Sequence, residues 1–193
     1  MSKVIILNGS PRKNGVDAGI ASMIAEEFPG AGHSVDVVNI CDMDVKGCLG
    51  CMACRKSGTC VQKDDMADLI DKIRASDMLV LMSPIYFGAE TGQTKIVLDR
   101  FTSAFNGEKP FGNVRVSSVL LTCADKNGAS AYDATLKRIL FEMKCLKIAD
   151  SDGGCIIGGL SPETVRDSSA VREYIDGLLA QLKQRNGPAE AMG

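Results

Sequence analysis

The chain has no tryptophan, one histidine, and aromatic side chains at only 5% of its 193 residues. It contains no run of roughly 18 consecutive apolar residues, the length a helix needs to cross a bilayer, so no transmembrane helix is expected. Charge of one sign is not in surplus. A net charge of −2, from 22 Lys and Arg against 24 Asp and Glu, gives no electrostatic case for nucleic acid or a membrane surface. Met1-Ser2-Lys3 leads straight into a short apolar run that stops at Asn8, too short for the core of a secretory signal, and a cytoplasmic protein is expected. Two nucleotide fingerprints are also missing. There is no Gly-Lys-Ser/Thr at Walker A spacing and no G-x-G-x-x-G, which argues against a tightly bound dinucleotide. The lone His33 falls at an expected turn before the second strand, where a surface residue is the reading rather than a ligand or base.

Cysteine, by contrast, is plentiful: there are eight. In a cytoplasmic protein that number argues for metal or redox chemistry rather than a disulfide framework. Cys41, Cys123, Cys145 and Cys155 are scattered and read as small buried hydrophobes. Cys48, Cys51, Cys54 and Cys60 are not scattered. They lie between Lys46 and Asp65 in the spacing C-x2-C-x2-C-x5-C. Two-residue spacers let successive sulfurs converge on one point while the backbone wraps it, as in iron–sulfur sites. Gly58 can take the left-handed turn that brings Cys60 back. Three occupants are open on spacing alone: a [4Fe–4S] cluster, a structural zinc, or no metal, with free thiols or redox disulfides. Zinc sites of four cysteines usually use two C-x2-C pairs set further apart. The run also departs from the two-cluster ferredoxin pattern, since its last spacer is longer and no proline follows Cys60. Lys46, Arg55, Lys56 and Lys63 would offset the charge of four thiolates, or simply be solvated.

The length suits a single domain spanning 1–193, with a cysteine-rich insertion at 46–63 and a tail, 186–193, that is expected to fray. Val4–Leu7, Val35–Val38, Met78–Met82 and Val114–Leu121 read as strands. Ile148 and Cys155–Ile157 mark a fifth, with an interruption expected at Gly153-Gly154. Between them run helical patterns: Ile20, Met23, Ile24 and Phe28; Met66, Leu69, Ile70 and Ile73 behind a cap at Asp64-Asp65; Ile96, Val97, Leu98 and Phe101 from about Thr91; and a helix over 130–144. Pro162 is expected to open a last helix carrying Val165, Val171, Ile175, Leu178, Leu179 and Leu182. No internal repeat or linker is present. Alternating strands and helices predict an α/β, doubly wound, five-stranded parallel sheet with the cysteine loop after strand 2.

Such sheets bind ligands at the carboxyl ends of their strands, at the switch point. With the order 2-1-3-4-5, three polar loops become neighbours there. Residues 8–15 lead into a helix N-terminus, and Ser10, Arg12 and Asn14 add a hydroxyl, a charged fork and an amide, which suits a phosphate. Pro84 to Gly88 put Tyr86 and Phe87 side by side, a surface for a flat ring in a chain poor in aromatics, although core packing would also explain them. Thr122 and backbone N–H groups of residues 122–125 could touch the same ligand, and Cys123 could simply pack. A flat ring system with one terminal phosphate, beside a metal cluster, reads as FMN.

The segments N-G-S-P-R-K-N-G, C-L-G-C-M-A-C-R-K-S-G-T-C-V-Q-K-D-D-M and S-P-I-Y-F-G-A-E-T-G-Q-T-K-I-V-L-D-R-F resemble the flavodoxin-like NAD(P)H-dependent FMN reductase superfamily, and within it the iron–sulfur flavoproteins. The resemblance covers most of the chain, and the cysteine spacing is its discriminating part. It implies that Ser10, Arg12, Asn14 and Gly15 take the FMN phosphate. It gives the isoalloxazine to Pro84, Ile85, Tyr86, Phe87 and Gly88 with Thr122, Cys123 and Ala124, and the cluster to Cys48, Cys51, Cys54 and Cys60. It further implies NAD(P)H or ferredoxin as electron donor and a homodimer or homotetramer with the flavin near a subunit interface. Where relatives commonly have Asn-Thr after the glycine, this chain has Val16-Asp17. A carboxylate there should repel a phosphate, unless Asp17 turns away to cap the helix. In the third loop Cys123 and Ala124 stand where small, glycine-rich residues are common.

The leading expectation is an oxidoreductase that passes electrons between FMN and a [4Fe–4S] cluster, with no side chain needed as acid or base. Two alternatives remain: a cluster-free NAD(P)H-dependent reductase of FMN or quinones, and a non-enzymatic flavodoxin-like carrier or thiol redox sensor.

Overall fold

Val4–Leu7 and Met78–Met82 are apolar at every position, so these strands must be central, with cover on both faces. The computed structural model describes residues 1–105, 110–124, 128–158 and 160–186, with side chains up to residue 184. Strands β1 (Lys3–Asn8), β2 (Ser34–Asn39), β3 (Met78–Pro84), β4 (Val116–Cys123) and β5 (Asp150–Ile157) pair in the order β2-β1-β3-β4-β5. Every pairing is parallel. The helices are α1 (Val16–Glu27), the single turn α2 (Cys54–Ser57), α3 (Met66–Arg74), α4 (Gly92–Arg100), the short α5 (Thr102–Phe105), α6 (Asp133–Cys145) and α7 (Ser169–Asn186).

The period of two along each strand divides the core. Val4, Ile6, Met78, Val80, Met82 and Leu120 pack with Ile20 and Ile24 of α1 and Val171, Ile175 and Leu178 of α7. Ile5, Leu7, Leu79, Leu81, Val119 and Leu121 pack on the other face with α3, α4 and α6. Alternate side chains of a strand point to opposite faces, so a continuous apolar run becomes two cores sharing one sheet. Among the described residues no helix is long and apolar enough to cross a membrane.

Four local expectations change. β4 starts and ends two residues later than the apolar run suggests. Val114 belongs to the preceding turn, donating its N–H to Phe111 O (3.1 Å) while its side chain fills the core there. Thr122 and Cys123 instead pair with Ile156 and Ile157, which extends the strand at its carboxyl end. The last helix begins at Ser169, not Pro162. Ser161 and Thr164 tie up the backbone N–H groups of Glu163 and Ser161, a local turn that competes with helix. His33 is buried rather than superficial, since the turn after α1 folds it back so that its N–H reaches Phe28 O (3.1 Å) and its ring lies 6.2 Å from that of Phe28. Asn186 is the last residue of α7, and the tail expected beyond it, 187–193, lies outside the described residues.

β5 also runs unbroken through Gly153-Gly154. The two glycines are not equivalent. A Cβ on Gly153 would lie 2.4 Å from Val119 O and 2.9 Å from Leu136 Cδ1, so α6 presses directly on the strand there, whereas a Cβ on Gly154 would meet nothing within 4 Å. Gly153→Ala is therefore expected to cost about 1–3 kcal/mol through overpacking against backbone. Gly154→Ala should be neutral or slightly stabilising. Chemical denaturation of the two variants checks this, and equal midpoints would contradict the packing described.

Candidate functional site

The polar ends of β1, β3 and β4 meet at one edge because their pairing is in step. Asn8 lies opposite Met82, and Pro84 opposite Thr122. Gly9 N–H donates to Met82 O (2.8 Å), and Gly9 O accepts from Thr91 Oγ1 (2.8 Å), at the N-cap of α4. A methyl group on Gly9 would sit 1.8 Å from Thr94 Oγ1, so only glycine fits here. The loop then folds on itself. Ser10 N–H donates to Asn8 Oδ1 (3.0 Å), and Arg12 N–H donates to Ser10 Oγ (3.3 Å). α1 starts after Gly15 with no side-chain cap, which leaves its first-turn N–H groups available to an anion.

Ser10, Arg12, Gly15, Pro84, Ile85, Tyr86, Thr122, Cys123 and Ala124 line one cavity at this edge. Ile85 N–H donates to Thr122 O (2.7 Å), which ties the second tip to the third. Cys123 Sγ lies 3.5 Å from the buried Tyr132 hydroxyl. Three expected residues are not part of this lining. Asn14 is exposed beyond it. Phe87 and Gly88 are the central pair of a tight turn closed by Tyr86 and Ala89, with φ of 51° and 85°, so Phe87 projects fully into solvent. Asp125 lies outside the described residues.

The cavity also contains Val16 and Asp17, which the sequence marked only as a departure from relatives, and Ile156 and Leu160, which it left out. Ile156 and Leu160 come from the end of β5 and the chain after it, and no local motif marks them. Asp17 does not cap α1. It is buried, and its Oδ1 accepts a hydrogen bond from Thr122 Oγ1 (2.7 Å). Burial pushes its carboxyl up to about 6, against the opposing pull of the Thr122 hydroxyl.

The cysteine loop forms a second site. Cys48, Cys51, Cys54 and Cys60 all border one small cavity of about 20 Å³, and among the described residues no cysteine is in a disulfide. Gly58 takes the expected left-handed turn, with φ of 73°. Gly50 N–H donates to Cys48 Sγ (3.5 Å), and Arg100 Nη2 donates to Cys60 Sγ (3.4 Å). Among the described residues no three His, Cys, Asp or Glu side chains stand together as a metal site. The donor set still fits an iron–sulfur cluster in kind, with four thiols on one cavity and two N–H donors aimed at sulfur.

Arg100 is the residue that holds this loop, and the sequence reading passed over it. It is buried at the end of α4, within the stripe of Val97, Leu98 and Phe101. A buried arginine needs partners. Nη1 donates to Asp64 Oδ2 (2.6 Å) and Lys46 O (2.7 Å), and Nη2 to Asp64 Oδ1 (2.9 Å). Asp64 in turn accepts the N–H groups of Lys46 (3.1 Å) and Met66 (3.3 Å), so it, rather than Asp65, covers the start of α3. Both ends of the cysteine loop are thereby fastened to α4. An arginine inside an apolar helical stripe was the available signal.

A family model described as NADPH-dependent FMN reductase matches residues 2–152. Two iron–sulfur flavoproteins of Archaeoglobus fulgidus are each 36% identical to the chain. One alignment spans 132 residues, 68% of this chain and 64% of the relative, just under two thirds of its length. The other spans 174 residues, 90% of this chain and 78% of the relative. Among solved structures, the NAD(P)H:quinone oxidoreductase of Methanothermobacter marburgensis superposes with a TM-score of 0.71 at 14% identity over 93% of both chains, a likeness of fold.

The Asp64–Arg100 pair yields a stability test. Arg100→Met removes one member of a buried pair and should cost about 3–5 kcal/mol. Hydrogen bonding from Arg100 lowers the Asp64 carboxyl to about 2. An acid with a lowered folded-state pKa stabilises the fold above its unfolded value, near 3.8. The cost of Arg100→Met should therefore be full above about pH 4 and shrink as pH falls toward 2. Thermal unfolding of both proteins across that range checks it, and a pH-independent difference would contradict the pairing.

Proposed function

The chain belongs to the NADPH-dependent FMN reductase family, close to the iron–sulfur flavoproteins, and we propose that it is a flavin-dependent oxidoreductase seating FMN at the tips of β1, β3 and β4. The observation that carries this reading is the make-up of that cavity. Ser10, Arg12 and the uncapped start of α1 offer anion donors, and Pro84 to Tyr86 and Thr122 to Ala124, tied to each other by the Ile85–Thr122 bond, line the rest. Arg12 and Ser10 would bind the phosphate. Pro84, Ile85 and Tyr86 would orient the ring, with Ile156 and Leu160 excluding water behind it. Asn14, Phe87 and Gly88 lie outside, so a ring seated here meets one aromatic of the adjacent pair, Tyr86.

Within this reading the four cysteines at 48, 51, 54 and 60 would ligate a [4Fe–4S] cluster. Their spacing, their common cavity, the donors from Arg100 and Gly50, and the names of the relatives support it. Bound together, FMN and the cluster supply exchange between a two-electron and a one-electron couple. Arg100 and Gly50 would stabilise the anionic sulfurs, and the clamp to Asp64 would keep the loop in one place. NAD(P)H is the donor that the family description favours, with ferredoxin the one-electron alternative. The fully exposed Phe87 beside the cavity suits a homodimer or homotetramer in which a second copy covers the flavin edge. Membership of a reductase family favours an enzyme over a carrier or a thiol sensor.

A second reading keeps FMN and drops the cluster: an NAD(P)H-dependent reductase of FMN or quinones. The family description, NADPH-dependent FMN reductase, supports it. Metal and flavin analysis of anaerobically purified protein separates the two. The leading reading expects FMN with iron and sulfide in equal amounts, and a broad absorbance shoulder that bleaches on reduction. Cys54→Ser should lose the iron and electron transfer to one-electron acceptors while retaining FMN. Flavin peaks without iron, and NAD(P)H oxidation unchanged in Cys54→Ser, would overturn the cluster.

A further inference from the structure

Asp17 is the second residue of α1 and faces the cavity with Ser10, Arg12 and Gly15. It is 1% exposed. Its Oδ1 is bonded to Thr122, and its Oδ2 is buried with no hydrogen-bond partner. An ionised oxygen held that way loses its water and gains nothing in return. A protonated one becomes a donor. The ligand proposed for this cavity brings a phosphate, whose ionised oxygens only accept. A neutral carboxyl complements it, and an ionised one repels it.

We propose that Asp17 stands in the ligand-bound site as the neutral acid, so that FMN binding takes up a proton at this carboxyl and weakens as the pH rises. This rests on the seat of FMN proposed above. The surroundings leave the carboxyl to set the sign. Among the described residues lining the cavity, the other charged or titratable groups are Arg12, Tyr86 and Cys123. Further along α1, Glu26 and Glu27 are paired with Arg166 and Arg172. On β2, Asp36 is paired with Lys72, and Lys3 lies at the opposite end of β1. Asp167, in the turn packed on α1, is exposed. β3 carries no charged residue. Arg12 is thus the cation nearest to hand, and among the described residues it makes no ion pair with Asp17 in this structure. Because burial already raises this acid to about 6, a phosphate has little further to shift it near neutral pH.

The sign distinguishes this device from an ordinary phosphate site. The second phosphate proton is lost near pH 6, so a site of Arg12 and helix N–H groups alone would bind FMN more tightly at higher pH. The test is the FMN dissociation constant between pH 5.5 and 8.5, by quenching of flavin fluorescence, for the parent protein and Asp17→Asn. Riboflavin, which lacks the phosphate, serves as control. The parent should lose affinity for FMN by up to about tenfold per pH unit above 6. Asp17→Asn should hold or gain affinity, and riboflavin binding should show no comparable decline. Calorimetry of the parent in two buffers of different ionisation enthalpy should register proton uptake on FMN binding near pH 7. Coincident profiles for parent and variant, or no proton uptake, would overturn the role of Asp17 while leaving the FMN site standing. Failure of the folded parent to bind FMN at any pH would overturn the site and this inference with it.

Discussion

In a parallel ladder every strand ends at the same side of the sheet, and the register decides how nearly level those ends are. Here β1, β3 and β4 finish within three residues of one another: β1 ends at Asn8, level with Met82, and β3 and β4 run on to Pro84 and Cys123. The chain can leave such a central sheet only by turning outward over one face or the other, and β1 and β3 turn in opposite directions, to α1 and to α4. That divergence opens the space between the tips. The turn after β1, the tight turn at Tyr86–Ala89 and the Thr122–Asp17 bond are each consequences of chain leaving the same edge.

α4 joins the two candidate sites. Its N-cap, Thr91, holds Gly9 O in the loop after β1, and its last residue, Arg100, grips both ends of the cysteine loop through Lys46 O and Asp64. Nine residues of helix at 1.5 Å each make a rod of about 14 Å. Both of its ends are tied by buried hydrogen bonds, so the loop is mounted on the same rigid element that braces the cavity. A loop of polar and small residues with several exposed thiols would otherwise have little to fix it.

Much of this was legible in the residues. Apolar runs of strand length located the sheet, and a period of 3.6 located most of the helices. Polar clusters after β1, β3 and β4 marked the edge where the cavity lies, and the cysteine spacing stood out on its own. What was not legible depended on three-dimensional neighbours. Ile156 and Leu160 reach the cavity only because β5 pairs with β4. Arg100 sits where an apolar residue would be expected and becomes intelligible only once Asp64 is opposite it. Asp17 was read as a carboxylate that either repels a phosphate or turns away to cap α1, and nothing local reveals that Thr122 holds it instead. Phe87 belongs with Tyr86 in sequence but is separated from it by a backbone with positive φ, which no pattern of hydrophobicity encodes.

The account stands or falls on whether the three tips enclose the flavin. Ala124 offers the most direct probe, because it lines the cavity yet is itself exposed, so a large side chain there can fill the space without disturbing the core. Titration of flavin-free protein with FMN, followed by fluorescence quenching, should show saturation at one equivalent per chain. The same titration of Ala124→Trp, with unchanged thermal stability, should show that binding lost. Undiminished stoichiometric binding by the folded variant would place the flavin elsewhere and contradict the account.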